Sequence, residues 1–457
     1  MHMTKTKFTK LLLTYLIAFY VFAEIFSLAY FYITRGEWIY NQESLPVEKR
    51  LEISNTTPRQ QLTNSVLHPV LGFIWNPGLS IKKVANRTRL DLMVGVSQTP
   101  KWSRISSNNY GFFSPVDYPF RPEEDAFLIG VFGGSVAQWF SLQGADRLKQ
   151  LIKDIPALRN RKIYILNFAQ GAFKQPQQLL ALNYFLALGQ EFDLLVNIDG
   201  ANEAGLAYDN RVRGYEHGMP AAQRLLPLVG LLDKNIASNE VFEAYTLLRE
   251  LNKTRQTIEL KILKNTRSAT LELAYLACFN FVTSRYDHAA EQLNNNSSKA
   301  PLNSLFSVTE LSNKNRGKNA PSHYTYLADL WMRSSQLMNA ALLNKEIPYL
   351  HVIQPNQYYS QKKFSSLEER IAVHPDSTFK KAVPAVYPYL LMSAKTLLAE
   401  GVNIKDATSL FDKEAGSIYI DSCCHINQQG NELFADYIAE EINKILRSPA
   451  VDSTTMD

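Results

Sequence analysis

Three short apolar runs, two of them followed by helical patterns, constrain the fold of this chain more than any other feature. The runs are DAFLIGVF (125–132), KIYILNF (162–168) and FDLLVNID (192–199). Residues 136–154 and about 175–188 have the spacing of helices. Continuous apolar strands that alternate with helices are typical of a parallel sheet covered by helices on both faces. The pattern therefore predicts an α/β fold.

The alternation stops after residue 204 and resumes with IPYLHVIQP (347–355), a helix near 385–400, the predicted strand SIYID (417–421) and a last helix near 428–446. The stretch between has helical patterns and long polar segments, which indicate a helical insertion in one domain. The predicted divisions are 1–35 (cytoplasmic tail and transmembrane anchor), 36–66 (linker), 67–204 (first part of the α/β domain), 205–345 (mostly helical insertion), 346–447 (second part) and 448–457 (disordered tail).

The N-terminal apolar run, Leu11 to Ile33, is as long as the ~20 residues that a membrane-spanning helix needs. A cleaved signal peptide is the alternative, since Ser27-Leu28-Ala29 imitates a cleavage site, but its apolar core would be only about 7–15 residues long. We expect an uncleaved, single-pass anchor. The lysines before the run place the N-terminus in the cytoplasm and the remainder on the periplasmic or extracellular side of the inner membrane.

Glu24 lies inside the apolar run, where a charged side chain is costly. It either contacts another membrane protein or is protonated, or snorkels, near the outer interface. We favour the second explanation.

The charge balance and the cysteines exclude several classes of protein. The net charge is +5 and the basic residues are scattered, so we expect no nucleic-acid partner. Three cysteines make no disulfide framework. Cys423 and Cys424 could form a strained vicinal disulfide, but we favour two reduced thiols. No second cysteine or histidine pair stands at zinc-ligand spacing, so we predict no metal and no cofactor.

The sequence Gly133-Gly134-Ser135 stands where the first strand gives way to a helix. This junction is at the carboxyl end of a parallel strand, where active sites collect. The two glycines permit a tight turn. Ser135 is then either a nucleophile displayed into the crevice or only the N-cap of its helix. A phosphate-binding loop is disfavoured because the Gly-Lys-Ser/Thr ending is missing.

Residues after the next strands favour the catalytic alternative. Gly171 follows the second strand, and Asn202 follows the third. A glycine N–H and an asparagine amide can both donate to an oxyanion, although an isolated Asn is usually a turn residue. His425 and Asp421 follow SIYID at the predicted end of the last strand. A nucleophilic serine needs a base, and a carboxylate orients that base.

These blocks, in this order, resemble the SGNH (GDSL-like) hydrolase superfamily. Ser135 matches the block-one nucleophile in a GGS variant of GDS, and Asn202 in GANE matches the Asn of GxND, with Glu203 in place of Asp. Gly171 matches the block-two glycine, and His425, followed by NQQGNELFA, matches the block-five base. The turn-rich β segments HPVLGFIWNPG and NNYGFF, with QPNQY (354–358), resemble membrane-anchored bacterial members.

The resemblance implies a flavodoxin-like three-layer fold and a Ser135–His425–Asp421 triad. It also implies an oxyanion hole formed by the N–H groups of Ser135 and Gly171 and the side chain of Asn202. One residue departs from the family pattern, because Ser422 stands where DxxH would have its acid and Asp421 is one position further from His425. Either the loop bulges so that Asp421 reaches His425, which we favour, or a Ser–His pair acts alone.

The resemblance implies an ester-active enzyme that acts on acyl groups, such as acetyl, of a carbohydrate or cell-envelope substrate. An O-acyltransferase would use the same triad. A catalytically degenerate envelope protein that binds a glycan or a protein is the alternative from another class. The expected partners are an acylated small molecule or glycan, the membrane through the N-terminal helix, and a protein through the helical insertion.

Overall fold

The computed structural model describes residues 5–35, 64–84, 92–94, 100–122, 125–230, 239–263, 268–299 and 322–447. Most of the predicted linker and the whole predicted tail lie outside these residues. The chain divides into two compact units. One comprises residues 1–63 and 237–299, and the other comprises residues 64–236 and 300–457.

The helices and strands are numbered in chain order. The helices are α1 (Lys5–Arg35), α2 (Ser135–Gln143), α3 (Ala145–Ile152), α4 (Gln177–Ala187), α5 (Ala201–Val212), α6 (Ala222–Gly230), α7 (Asn239–Leu263), α8 (Ala269–Lys299), α9 (His323–Leu343), α10 (Ser366–Ala372), α11 (Thr378–Ala399) and α12 (Gln428–Arg447). The strands are β1 (Ser65–His68), β2 (Gly72–Trp75), β3 (Ala126–Gly133), β4 (Lys162–Asn167), β5 (Leu194–Asp199), β6 (Tyr349–Ile353) and β7 (Ile404–Asp406).

The larger unit contains a five-stranded sheet in the order β4-β3-β5-β6-β7, with every pair parallel. This is the flavodoxin-like order, so the fold class predicted from the sequence is confirmed. The chain passes from β3 to β4 on one side and then to β5 on the other. In such sheets, ligands bind outside the carboxyl ends of the strands at this reversal.

Helices cover both faces of the sheet and explain the continuous apolar runs. Helices α2, α3 and α12 pack together on one face, and α4, α5, α9 and α11 pack on the other. Leu128 and Phe132 of β3 enter one core, whereas Ile129 and Val131 enter the second. Because successive side chains of a strand point to opposite faces, a strand buried on both must be apolar throughout.

The strand predicted over 417–421 is wrong, and the fifth strand is the short β7 instead. Within 417–421, only Tyr419 makes a β bridge, to Ile426. The Glu368 carboxylate accepts the backbone N–H groups of Ile418 (3.0 Å) and Tyr419 (2.9 Å). A buried side chain thus takes the donors that a neighbouring strand would otherwise accept.

The stretch predicted as an insertion, 205–345, contributes to both units. Helices α6 and α9 and residues 205–212 of α5 lie in this stretch and belong to the α/β unit, where Trp331 and Met338 of α9 are fully buried. Helices α7 and α8 pack against each other in the smaller unit, and α8 also packs against α1. Residues 11–34 of α1 form the one described segment long and apolar enough to cross a membrane.

Glu24 has partners within its own unit. Its carboxylate accepts the backbone N–H groups of Ala269 (2.6 Å) and Thr270 (3.1 Å) and the Ser268 hydroxyl (2.9 Å). These N–H groups open α8 and have no acceptor within the helix, and a negative charge there is favoured by the helix dipole. Phe31 and Ala269 are buried together beside this contact. Glu24 therefore caps α8, an arrangement that neither sequence explanation included.

We expect Glu24→Ala to lower the local stability of the start of α8 by about 0.5–2 kcal/mol, because the first turn loses its cap. The measurement is amide hydrogen exchange of the full chain in detergent micelles, with faster exchange confined to the amides near Ala269 and Thr270. Glu250→Ala is the matched control, since Glu250 is exposed on α7. Equal exchange in the two variants at these amides would contradict the capping role.

Candidate active site

The turn before Ser135 is possible only with glycine. Gly133 ends β3 with φ +142°, and a Cβ there would lie 2.1 Å from the Ile198 carbonyl oxygen of β5 and 2.6 Å from the Ala137 Cβ. Both neighbours are held by regular structure, so neither can move away cheaply. The turn is thus pressed against the end of β5, at the reversal of the strand order.

Ser135 is the first residue of α2, and its hydroxyl does not cap the helix. Gly134 holds the N-cap position, and no side chain accepts a hydrogen bond there. Ser135 is partly exposed, whereas every later residue of α2 is buried. The alternative that Ser135 serves as an N-cap is therefore wrong, and its hydroxyl stands at the strand-to-helix turn without that role.

Asn202 lies directly against this turn. It is the second residue of α5, and a Cβ on Gly134 would meet its Nδ2 at 2.3 Å. The same Nδ2 donates to the Phe173 carbonyl at 2.8 Å. The turn, the Asn202 amide and the loop after β4 are therefore mutually in contact, which fits an amide that donates to an oxyanion beside Ser135.

Gly171 is in the neighbouring loop, but its N–H already has an acceptor. It donates to Gln138 Oε1 at 3.2 Å, and the Trp75 indole donates to the same oxygen at 2.9 Å. Gln138 is on α2, one turn after Ser135. For the Gly171 N–H to hold an oxyanion, this hydrogen bond must be exchanged for one to the substrate. Its assignment to the oxyanion hole stays a prediction.

The structure brings Asp421 and His425 together. Asp421 Oδ2 lies 2.5 Å from His425 Nδ1. Because a carboxylate only accepts, Nδ1 carries the proton and Nε2 is the basic nitrogen. Asp421 Oδ1 accepts the backbone N–H groups of Cys423 (3.0 Å), Cys424 (3.2 Å) and His425 (3.3 Å). The three hydrogen bonds to Oδ1 fold the loop around the carboxylate. His425, four residues after Asp421, is thereby brought into contact with Oδ2.

The segment QPNQY holds this loop by its carbonyl groups, a role that sequence reasoning missed. Asn356 donates to the Cys423 carbonyl at 3.0 Å, Gln357 to the Asp421 carbonyl at 2.9 Å, and the Tyr358 hydroxyl to the Ser422 carbonyl at 3.0 Å. All three side chains follow β6, so they also lie at the carboxyl edge of the sheet. The only sequence signal was the family resemblance of the segment.

The loop and the Ser135 helix share a small core. Ile420, just before Asp421, is buried in one cluster with Trp139 of α2 and Trp75 of β2. Gln428, at the start of α12, donates to the carbonyl of Gln143 at the end of α2 at 2.8 Å. The loop that carries Asp421 and His425 therefore packs against α2, the helix that begins with Ser135.

A buried polar network lies beneath Asn202. Glu203 Oε2 accepts the Gly200 N–H at 2.7 Å, and its Oε1 accepts the N–H of Gln175 at 3.0 Å. Burial, and then the nearby Asp199, raise the pKa of Glu203 to about 8. Burial lowers the pKa of Lys174 to about 8, although Glu203 opposes this. Through its hydrogen bonds to the N–H groups of Gly200 and Gln175, Glu203 joins the start of α5 to the loop after β4.

One group of side chains in the described part of the chain could hold a metal ion. It consists of Cys423, Cys424 and His425, whose ligand atoms lie within 4.8 Å of one another. Sulfur and imidazole ligands suit a soft or borderline cation such as zinc. Binding there would occupy the imidazole that a serine needs as a base. The predicted absence of a metal and of a cofactor stays a prediction.

Two solved structures are similar to this fold. A GDSL-like lipase from Bacteroides thetaiotaomicron is similar over 71% of this chain and 92% of its own, with 9% identity and a TM-score of 0.33. The lipase/acylhydrolase from Enterococcus faecalis is similar over 71% of this chain and 99% of its own, with 10% identity and a TM-score of 0.28. No protein-family model matches the chain, and no curated protein matches it.

We expect Gly133→Ala to lower the free energy of unfolding by at least about 2 kcal/mol, because the added Cβ meets backbone and the positive φ is strained. Chemical denaturation of the full chain in detergent measures this. Gly416→Ala is the control and should change stability by less than about 0.5 kcal/mol, since its Cβ would meet nothing closer than a glutamine side chain at 3.7 Å. A Gly133→Ala variant as stable as Gly416→Ala would refute the close approach.

We also expect Glu203 to contribute a fall in the stability of the protein as the pH rises from about 4.5 to 8. In this window the native state keeps a proton on Glu203 that the unfolded chain releases. Rising pH therefore favours the unfolded state and lowers the free energy of unfolding. Glu203→Gln should remove this part of the decline, as measured by denaturation midpoints at pH 5.5 and pH 8. The same decline in both proteins would show that Glu203 is ionised across the window.

Proposed function

We propose that this chain is a membrane-anchored serine esterase of the SGNH type, which acts on acyl esters, such as acetyl esters, of a carbohydrate or cell-envelope substrate. The observation that carries the proposal is the 2.5 Å contact between Asp421 Oδ2 and His425 Nδ1. A carboxylate at Nδ1 fixes the tautomer in which Nε2 is a general base and stabilises the imidazolium that forms.

In the proposed reaction, Ser135 Oγ attacks the acyl carbon while His425 Nε2 takes its proton. The tetrahedral oxyanion is held by the Ser135 N–H, at the positive end of α2, and by the Asn202 amide. One N–H of this amide binds the Phe173 carbonyl, which fixes the direction of the other. His425 then protonates the leaving alcohol, and water releases the acyl group from Ser135 with His425 as base again.

The proposed location follows from α1. This helix is long and apolar enough to cross a membrane, and lysines precede its apolar part. We propose that it anchors the enzyme in the inner membrane, with the α/β unit on the periplasmic or extracellular side.

A non-catalytic binding protein is the second candidate, and the contact between the Gly171 N–H and Gln138 favours it. With this donor engaged inside the protein, the oxyanion site has one donor fewer. An envelope protein that uses the crevice only to bind a glycan would have the same fold and would tolerate this contact.

We expect Ser135→Ala to lower kcat for an activated acetyl ester by about 10⁴-fold or more, and Asp421→Asn to lower it by about 10⁴-fold, because the imidazole loses its correct tautomer. Initial rates of the full chain in detergent micelles measure both effects. Ser141→Ala is the control, since Ser141 is a buried serine of the same helix whose hydroxyl binds the Ala137 carbonyl. It should keep the wild-type rate within a few-fold.

A fluorophosphonate probe that labels active serines separates the two candidates. Labelling of the wild type and of Ser141→Ala, but not of Ser135→Ala, supports the esterase. Equal hydrolysis by wild type and Ser135→Ala, together with no labelling, would refute it and favour the binding protein.

A further inference from the structure

Arg224 is a buried cation without an ion-pair partner. It lies on α6 with 7% of its surface exposed, and its Nη1 is buried without an acceptor. No carboxylate pairs with it in the part of the chain that the structure describes. A guanidinium is charged at every physiological pH, so burial costs several kcal/mol unless acceptors replace the lost water.

The neighbours of this guanidinium are the residues around Gly171. Its carbon lies 5.4 Å from the centre of the Trp75 ring, a cation–π contact that covers one face of the group. Its Nη2 lies 3.9 Å from the place a Cβ on Gly171 would occupy. Gly171 is two residues from Phe173, whose carbonyl binds Asn202. Arg224 is therefore beside the loop that borders the candidate oxyanion site.

Lys174, in the same loop, is a buried cation whose hydrogen bonds are made within the protein, and it offers a comparison with Arg224. Lys174 is fully buried, and its ammonium group donates to the carbonyl of His217 and, at 2.6 Å, to that of Met219. The protein thus supplies two acceptors to Lys174 and leaves Arg224 Nη1 with none. Burial lowers the pKa of Arg224 to about 9, with no opposing carboxylate. Buried polar groups normally have hydrogen-bond partners, so the unpaired Nη1 of Arg224 points to an acceptor that the chain itself does not supply.

We propose that Arg224 binds an anionic group of the substrate, so that the enzyme acts on acyl esters that also carry a carboxylate or a phosphate. The planar fork of N–H donors fits either group through two parallel hydrogen bonds. The anion would supply the missing acceptors, and the position beside Gly171 would orient the ester toward Ser135. This inference rests on the proposed esterase function.

The test compares acetyl esters of glucose, glucuronic acid and glucose 6-phosphate with the full chain in detergent micelles. One anionic ester should have a kcat/KM about 10- to 100-fold above the neutral ester, the ratio expected for a charged hydrogen-bonded contact. The better of the two anionic esters identifies the group as carboxylate or phosphate. Arg224→Gln should remove this preference through KM, so that its kcat/KM becomes about equal on the three esters.

Two further variants complete the design. Arg224→Lys keeps the charge without the fork and should retain only part of the preference. Arg333→Gln is the control, because Arg333 has 70% of its side chain exposed and should keep the full preference. Equal rates of the wild type on all three esters, or an undiminished preference in Arg224→Gln, would overturn the proposal.

A binding measurement keeps this test independent of catalysis. Glucuronate or inorganic phosphate should raise the melting temperature of Ser135→Ala and not that of the Ser135→Ala, Arg224→Gln double variant. If the wild type hydrolyses none of the esters but the anion still stabilises the protein through Arg224, the esterase function fails and the anion site stands. If neither anion distinguishes the two variants, the anion site fails.

Discussion

The close approach of the Gly133–Gly134 turn to the end of β5 is the constraint on which the rest of the site depends. A Cβ at Gly133 would overlap the Ile198 carbonyl, and one at Gly134 would overlap the Asn202 amide. The absence of two side chains thus lets the first residues of α2 and α5 meet at the reversal of the strand order. With any other residue type, the sheet would have to open between β3 and β5, and Ser135 would move away from Asn202.

The second constraint is that the two carboxylate oxygens of Asp421 have different hydrogen-bond partners. One oxygen accepts three backbone N–H groups of its own loop, and the other contacts His425. The same carboxylate therefore holds the backbone of the loop and orients the imidazole. Side chains after β6 hold the carbonyl groups of this loop from outside. Most backbone polar groups between Asp421 and His425 therefore have hydrogen-bond partners, which hold this loop in one conformation.

The sequence was sufficient for the parts of the fold that depend on local pattern. Strands β3, β5 and β6 are buried on both faces, and the edge strand β4 is partly buried, so their apolar runs and the neighbouring helices predicted the parallel sheet. Strand β7 has only three residues and a single buried one, which leaves no apolar run to detect. The error at 417–421 has the opposite cause: the apolar pattern is real, but Glu368, distant in sequence, takes the backbone donors.

The same distinction applies to the site. Ser135, Asn202 and His425 are candidates from the sequence because each directly follows an apolar run or stands in a recognisable block, and their catalytic roles stay predictions. Whether Asp421 reaches His425 could not be decided from spacing, since it depends on where one carboxylate oxygen finds its donors. The Gly171–Gln138 contact had no sequence signal, because it joins a loop to the interior of α2. The first point depends on the conformation of one loop, and the second on a contact between segments that are 33 residues apart.

Charged groups that are wholly or partly buried follow the same physical rule in each unit of the chain. Glu24 accepts N–H groups from the start of α8, and Lys362 pairs with Glu368 at 2.8 Å. Asp199 pairs with His351 at 2.9 Å. In each case the chain itself provides the compensating group, as the cost of burying an isolated charge demands. Arg224 Nη1 lacks such a group, and Nη2 of the same guanidinium lies 3.9 Å from the place that a Cβ on Gly171 would occupy. A charge that the fold buries but does not neutralise is best understood as belonging to a complex with a ligand.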